Sequence, residues 1–145
     1  IMRLVNGKPN DQHCWTEVLG VNQCMLTARK QMMDKYGIDM PESVIEQFLR
    51  TGTANLAREL LDNLTDIVRG YVTGLFDALR VHGYDARLMK LFVMGGGGCL
   101  VKHFGKYDPG AVVFVDDLHA SAKGYEYMAQ GVIWRNERLA RKAGD

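Results

Sequence analysis

Four consecutive glycines, Gly95 to Gly98, stand directly behind the apolar run Leu91-Phe92-Val93-Met94. Glycine loses more backbone entropy on folding than any other residue, so a run of four lowers the stability of any regular element. The apolar run suits a short strand buried on both faces, and Cys99 to Phe104 behind the glycines reads as a short helix. A strand that ends in glycines and enters a helix leaves backbone N–H groups free. It also admits a flat or anionic ligand with no Cβ in the way. A turn that only packs helix on strand needs one or two glycines, so the length of the run favours a ligand.

Neither of two familiar phosphate-binding patterns is complete. No lysine follows the run where a G-x-x-x-x-G-K-[ST] loop requires one. Gly95 and Gly97 match the start of a G-x-G-x-x-G fingerprint, but its third glycine is replaced by Leu100. Asp116 and Asp117 lie at a distance suited to that fingerprint's acid.

The rest of the chain supplies a scaffold. Ile1 to Val5 followed by Asn6-Gly7 predicts a strand entering a type I′ hairpin, with Pro9 and Asn10 widening the loop and a return strand near Gln12 to Val18. Val21 to Lys35 has helical spacing and closes at Gly37. Asp39-Met40-Pro41-Glu42 resembles a capping box that starts a short helix ending at Gly52. A long helix is expected from about Ala54 to Val81, with Leu56, Leu60, Leu64, Ile67, Val68, Tyr71, Leu75 and Leu79 on its apolar side. Gly70 and Gly74 within it suggest close approach of another backbone. A strand over Leu88 to Met94, the glycine turn, a helix, and a strand over Ala111 to Val115 imply a parallel pair. Asp116 or Asp117 then caps a last helix running to about Lys142, with Tyr125, Tyr127 and Trp134 as packing anchors and a solvated end at Arg135 to Lys142.

Composition narrows the function classes. The 145 residues are 47% hydrophobic and 24% charged, in the range of one ordinary globular domain. A formal charge of +1 disfavours bulk attraction to nucleic acid or membrane. Three cysteines, Cys14, Cys24 and Cys99, give neither a secreted framework nor a zinc pair, and a cytoplasmic setting is the simplest expectation. No apolar run approaches the ~18 residues of a membrane span, and no signal peptide is visible. The chain already reads as a strand at Ile1, which suggests a piece of something longer. Cys99 and His103, four apart on one helix, are the nearest approach to a thiol and base, without supporting features. The histidines have no metal-type spacing, and Met25, Met32 and Met33 read as core.

"FVMGGGG" followed by a short helix and then "VVFVDDLHASAKGYEYMA" resembles the end of an actin-type ATPase domain, nearest to plasmid-segregation bacterial actins of the ParM/StbA type. Asp116, Ala120, Ala122, Gly124 and Tyr125 match the family's D-x-x-x-A-x-A-x-G-Y segment at the start of the last helix. "IMRLVNGKP" resembles the strand and hairpin after the family's second phosphate loop, so the resemblance spans the chain in the family's order. It implies an α/β fold: the C-terminal domain of the actin/Hsp70/sugar-kinase (ribonuclease H-like) type. Residues 1–36 and 81–145 would form the core subdomain, and 37–80 a mostly helical inserted subdomain with its connecting helix.

The resemblance also implies that Gly95, Gly96, Gly97 and Gly98 contact adenine and ribose through backbone, and that Glu46 or Gln47 reaches the ribose from the inserted subdomain. The cofactor would be ATP with Mg²⁺, in the full-length protein only. Partners would be other filament protomers and a DNA-binding adaptor protein, with no direct nucleic-acid or membrane contact. The family's phosphate loops and catalytic acid or glutamine do not occur in these residues, so the chain alone is not expected to hydrolyse ATP. Alternatives are another ATPase or kinase of the same fold, such as a sugar-kinase or Hsp70-type enzyme, and a non-catalytic interaction module that keeps the glycine turn for packing.

Overall fold

The computed structural model describes residues 1–117 and 119–143, without the side chains of Pro9, Asp11, Ser121 and 135–143. The chain is mixed helix and sheet with two small sheets. Strands β1 (Met2–Val5) and β2 (Lys8–Cys14) form an antiparallel hairpin. Helices α1 (Val21–Tyr36), α2 (Glu42–Thr51) and α3 (Arg58–Val81) follow, then β3 (Leu91–Met94), α4 (Gly97–Phe104), β4 (Val112–Val115) and α5 (Ala120–Ala143). Strands β3 and β4 pair in parallel, as the strand–helix–strand order predicts.

The hairpin is tighter than expected. Asn6 and Gly7 both have positive φ, 51° and 74°, which is the type I′ pattern. Val5 therefore pairs directly with Lys8, so Pro9 and Asn10 belong to β2 and the return strand ends at Cys14. Beyond it, Trp15 stacks on His82 at 4.3 Å, and Glu17 Oε1 lies 2.6 Å from His82 Nε2, joining this segment to the end of α3.

Helix α1 ends as its sequence dictates, with Gly37 at φ 66° donating its N–H to the Met33 carbonyl. The expected capping box does not form. The Arg29 guanidinium holds the Asp39 carboxylate at 2.7 and 3.0 Å and also reaches Glu42, so the Asp39 oxygens serve an ion pair between α1 and the start of α2. Pro41 occupies the N-cap with no side-chain hydrogen bond. Gly52, at φ 78°, closes α2.

Helix α3 starts at Arg58, four residues later than Ala54, because the chain leaves α2 through the left-handed Gly52 and a tight turn from Leu56 N–H to the Ala54 carbonyl. Its buried row is Leu64, Val68, Val72, Phe76 and Leu79. The sequence reading included neither Val72 nor Phe76, and its Leu60, Ile67, Tyr71 and Leu75 flank this row half-buried. Gly70 and Gly74 face open space, with no atom within 4 Å of an added Cβ, so close backbone approach is not their role.

One apolar cluster joins α1, α2, α3 and α4: Cys24, Ala28 and Met32 meet Ile45, Phe48 and Leu49, the α3 row, and Leu100, Val101 and Phe104. Phe48 and Phe104 pack with ring centroids 4.9 Å apart. Residues from both sides of the expected 36/37 and 80/81 boundaries thus share a core. Strand β3 is shorter than the expected run, since Leu88 lies in a turn closed on the Asp85 carbonyl. It is also not buried on both faces. Leu91, Val93 and Phe114 face the cluster, whereas Phe92 is 54% and Val113 37% exposed.

The last helix differs most from expectation. Tyr125, Tyr127 and Trp134 are exposed at 73%, 77% and 68%, so they are not packing anchors. Asp117 accepts the His119 N–H at 2.9 Å and pairs with Lys123 at 2.7 Å just ahead of α5. Lys123 and the His119 N–H hold the Asp117 carboxyl below the usual carboxylate range. The solvated helix end expected at Arg135 to Lys142 has its side chains outside the described residues.

Candidate functional site: the glycine turn

The turn sits where a parallel pair ends. The register Met94↔Val115 places Gly95–Gly98 and the Asp116–Asp117 segment side by side at the C-terminal edge of the sheet. This edge is where open α/β sheets hold their ligands. Each glycine has a different local geometry. Gly95 lies at φ 73°, in the left-handed region that favours glycine, and its carbonyl accepts the Gly98 N–H at 3.0 Å. Gly96 is the N-cap of α4, and Gly97 and Gly98 form its first turn, two residues earlier than the expected start at Cys99.

Steric need does not explain the run. An added Cβ would meet nothing within 4 Å at Gly95 or Gly97, Val21 Cγ2 at 3.5 Å at Gly96, and Phe114 at 4.0 Å at Gly98. These are ordinary contacts or open space. Gly97 thus needs neither an unusual φ nor close packing, although it is the first helical residue of α4.

A second helix terminus meets the turn. Val21 opens α1, so the contact between Val21 and Gly96 brings the N-terminal ends of α1 and α4 together. Neither helix has a side-chain cap or an acid in its first turn. The α1 end is fixed from behind, where the Tyr71 hydroxyl donates to the Gly20 carbonyl at 3.1 Å. Two N-termini without side-chain caps add partial positive charge at one place. Nothing in the sequence joins Gly20 to the glycine turn, which lies some 75 residues on. An uncapped glycine before a helical run was the available signal.

The other candidates fall elsewhere. Glu46 and Gln47 are exposed on α2. That helix meets α4 through Phe48 on Phe104 and Gly52 near His103, at the end of α4 opposite the glycines. Cys99 is half-buried in α4 and His103 is exposed one turn on. No group of three or more metal-ligating side chains occurs among the described residues. Two surface concavities lie away from the turn. One, of about 450 Å³, runs along exposed α5 between Tyr127 and Trp134. The other, of about 480 Å³, lies beside Val112 at the opposite edge of the sheet, lined by Phe76, Arg80, Tyr84, Arg87, Lys106 and Tyr107. The glycine turn is an open edge, and a ligand there would need a second wall.

Comparison with protein-family models, with curated proteins and with solved structures finds no match to this chain. No helix among the described residues is long and apolar enough to cross a membrane.

Proposed function

We propose that the chain is the nucleoside-holding, C-terminal half of an actin-like filament-forming ATPase, of the kind that segregates plasmid DNA through an adaptor. The observation that carries this reading is Gly97, a helical glycine for which neither backbone conformation nor packing gives a reason. Bare main chain at that position leaves room for a purine and ribose against the N-terminal ends of α1 and α4.

The residues fit ATP only in part. Gly95 to Gly98 offer a flat surface for the nucleoside, and Asp116, exposed beside the turn, offers an acceptor for a ribose hydroxyl. When bound, ATP with Mg²⁺ supplies the phosphoanhydride whose hydrolysis weakens filament contacts. The chain's own part is to bind and orient the nucleoside. Groups around the terminal phosphate would come from a preceding half that carries the phosphate loops. Exposed Tyr127 and Trp134, seven residues apart on α5, support a contact between protomers.

Electron microscopy and light scattering test this on a polypeptide in which this chain follows a phosphate-loop half. Filaments that form with ATP and shorten as it is hydrolysed are expected. ATP turnover without assembly would favour a kinase of the same fold, and neither binding nor assembly would leave an interaction module.

A further inference from the structure

We propose that α5 is a strap that closes on the outer face of its own β3–β4 sheet, laying Tyr125 and Met128 over Phe92 and Val113. Side chains alternate across a strand, and Leu91, Val93 and Phe114 point into the helical core. Phe92, Val113 and Val115 therefore share the opposite face, all apolar, with Phe92 and Val113 exposed. Parallel strands are stable with both faces covered, and α1 to α4 cover only one here.

The cover is supplied a few residues away. Helix α5 starts five positions after β4 ends, an ordinary spacing between a strand and the helix that follows it. Tyr125, Met128 and Val132 form a row at i, i+3 and i+7, while Tyr127 and Trp134 form a second row on the opposite side. The described side chains from Ala122 to Trp134 are all exposed. Lys123 and Gln130 share the side of Tyr127 and Trp134, so the row of Tyr125, Met128 and Val132 is the apolar stripe that an amphipathic helix turns to a core.

The lengths agree. Four strand residues span ~13 Å, and the nine residues Ala120 to Met128 span a similar ~13 Å of helix. A helix returning antiparallel to β4 brings Met128 level with Val113 and leaves Tyr127 facing away. The short tether gives α5 an effective concentration in the millimolar range at its own sheet, which favours it over a second copy. Asp117 holds the first turn of α5 through Lys123 and the His119 N–H.

The test uses the full chain with Cys14→Ser and Cys99→Ser, buried Cys24 being retained, and adds Val113→Cys with Met128→Cys. Dilute oxidation by copper phenanthroline is expected to give an intramolecular disulfide about tenfold faster than in the matched Val113→Cys, Tyr127→Cys chain, since a disulfide needs Cβ atoms within about 4.5 Å. Equal rates in the two chains, or a product that is mainly a disulfide-linked dimer, would overturn the proposal. Hydrogen exchange gives a readout without cysteines. Phe92→Asp, at an exposed position, is expected to speed exchange of the amides from Ala122 to Val132 by about tenfold while circular dichroism stays unchanged. Unchanged exchange would equally overturn it.

Discussion

Replacing Gly97 by valine separates the cost of folding from the cost of binding. Gly97 is the first residue of α4, and nothing lies within 4 Å of a Cβ built there. Valine is a slightly better helix former than glycine, by a few tenths of a kcal/mol. The melting temperature of Gly97→Val is therefore expected to equal or slightly exceed that of the parent. Gly95→Val is the contrast. Its φ of 73° is strained for a side chain, so a loss of roughly 1–2 kcal/mol in stability is expected there whatever the turn binds. For ligand affinity Gly97→Val should be severe. An isopropyl group on the bare main chain displaces a planar ring from contact, and a weakening of about 100-fold corresponds to roughly 2.7 kcal/mol. Calorimetric titration with ADP, on this chain and on the polypeptide carrying the phosphate loops, reads the affinity, and a thermal melt reads the fold. Unchanged affinity in a folded Gly97→Val chain would refute the reasoning, because the absence of a side chain would then serve nothing.

Other consequences follow from the packing and the charges. Phe48 is fully buried against Phe104, so Phe48→Ala should cost roughly 3–5 kcal/mol in denaturant unfolding, whereas Phe92→Ala on the exposed face should cost far less. Burial pushes the Cys24 thiol up to about 11. At pH 8 only about one part in a thousand is thiolate, so maleimide should label exposed Cys14 in the folded chain and reach Cys24 only on unfolding. Hydrogen bonds from the Arg87 side chain and N–H hold the Asp85 carboxyl down at about 2. Because this value is depressed, the pair's contribution is present above the unfolded carboxylate range and is lost as pH falls towards 2. In Arg87→Ala the Asp85 midpoint, followed by carboxyl NMR, should rise part of the way to the ordinary value, since the backbone donor remains.

Local chemistry made much of the fold legible. Asn6-Gly7 specified its turn, Gly37 and Gly52 ended their helices in left-handed conformations, and the strand–helix–strand order gave the parallel pair. Readings failed where a distant partner decided the outcome. Asp39 has the right chemistry for a cap, but Arg29, ten residues away, takes its oxygens. Val72 and Phe76 are buried because α1 and α4 lie over that side of α3, which helical periodicity alone does not locate. The glycine turn was visible in the letters. The meeting of α1 with it was not, since contact between Val21 and Gly96 depends on how two helices pack.

Backbone amide shifts at Gly95, Gly96, Gly97 and Gly98 during titration of the isotope-labelled chain with ADP test the central claim most directly. The largest changes are expected at these four amides and at Val21, which lies against them. Changes confined to the groove around Arg80, Tyr84 and Lys106, or no change at millimolar ADP, would contradict a nucleoside at the glycine turn.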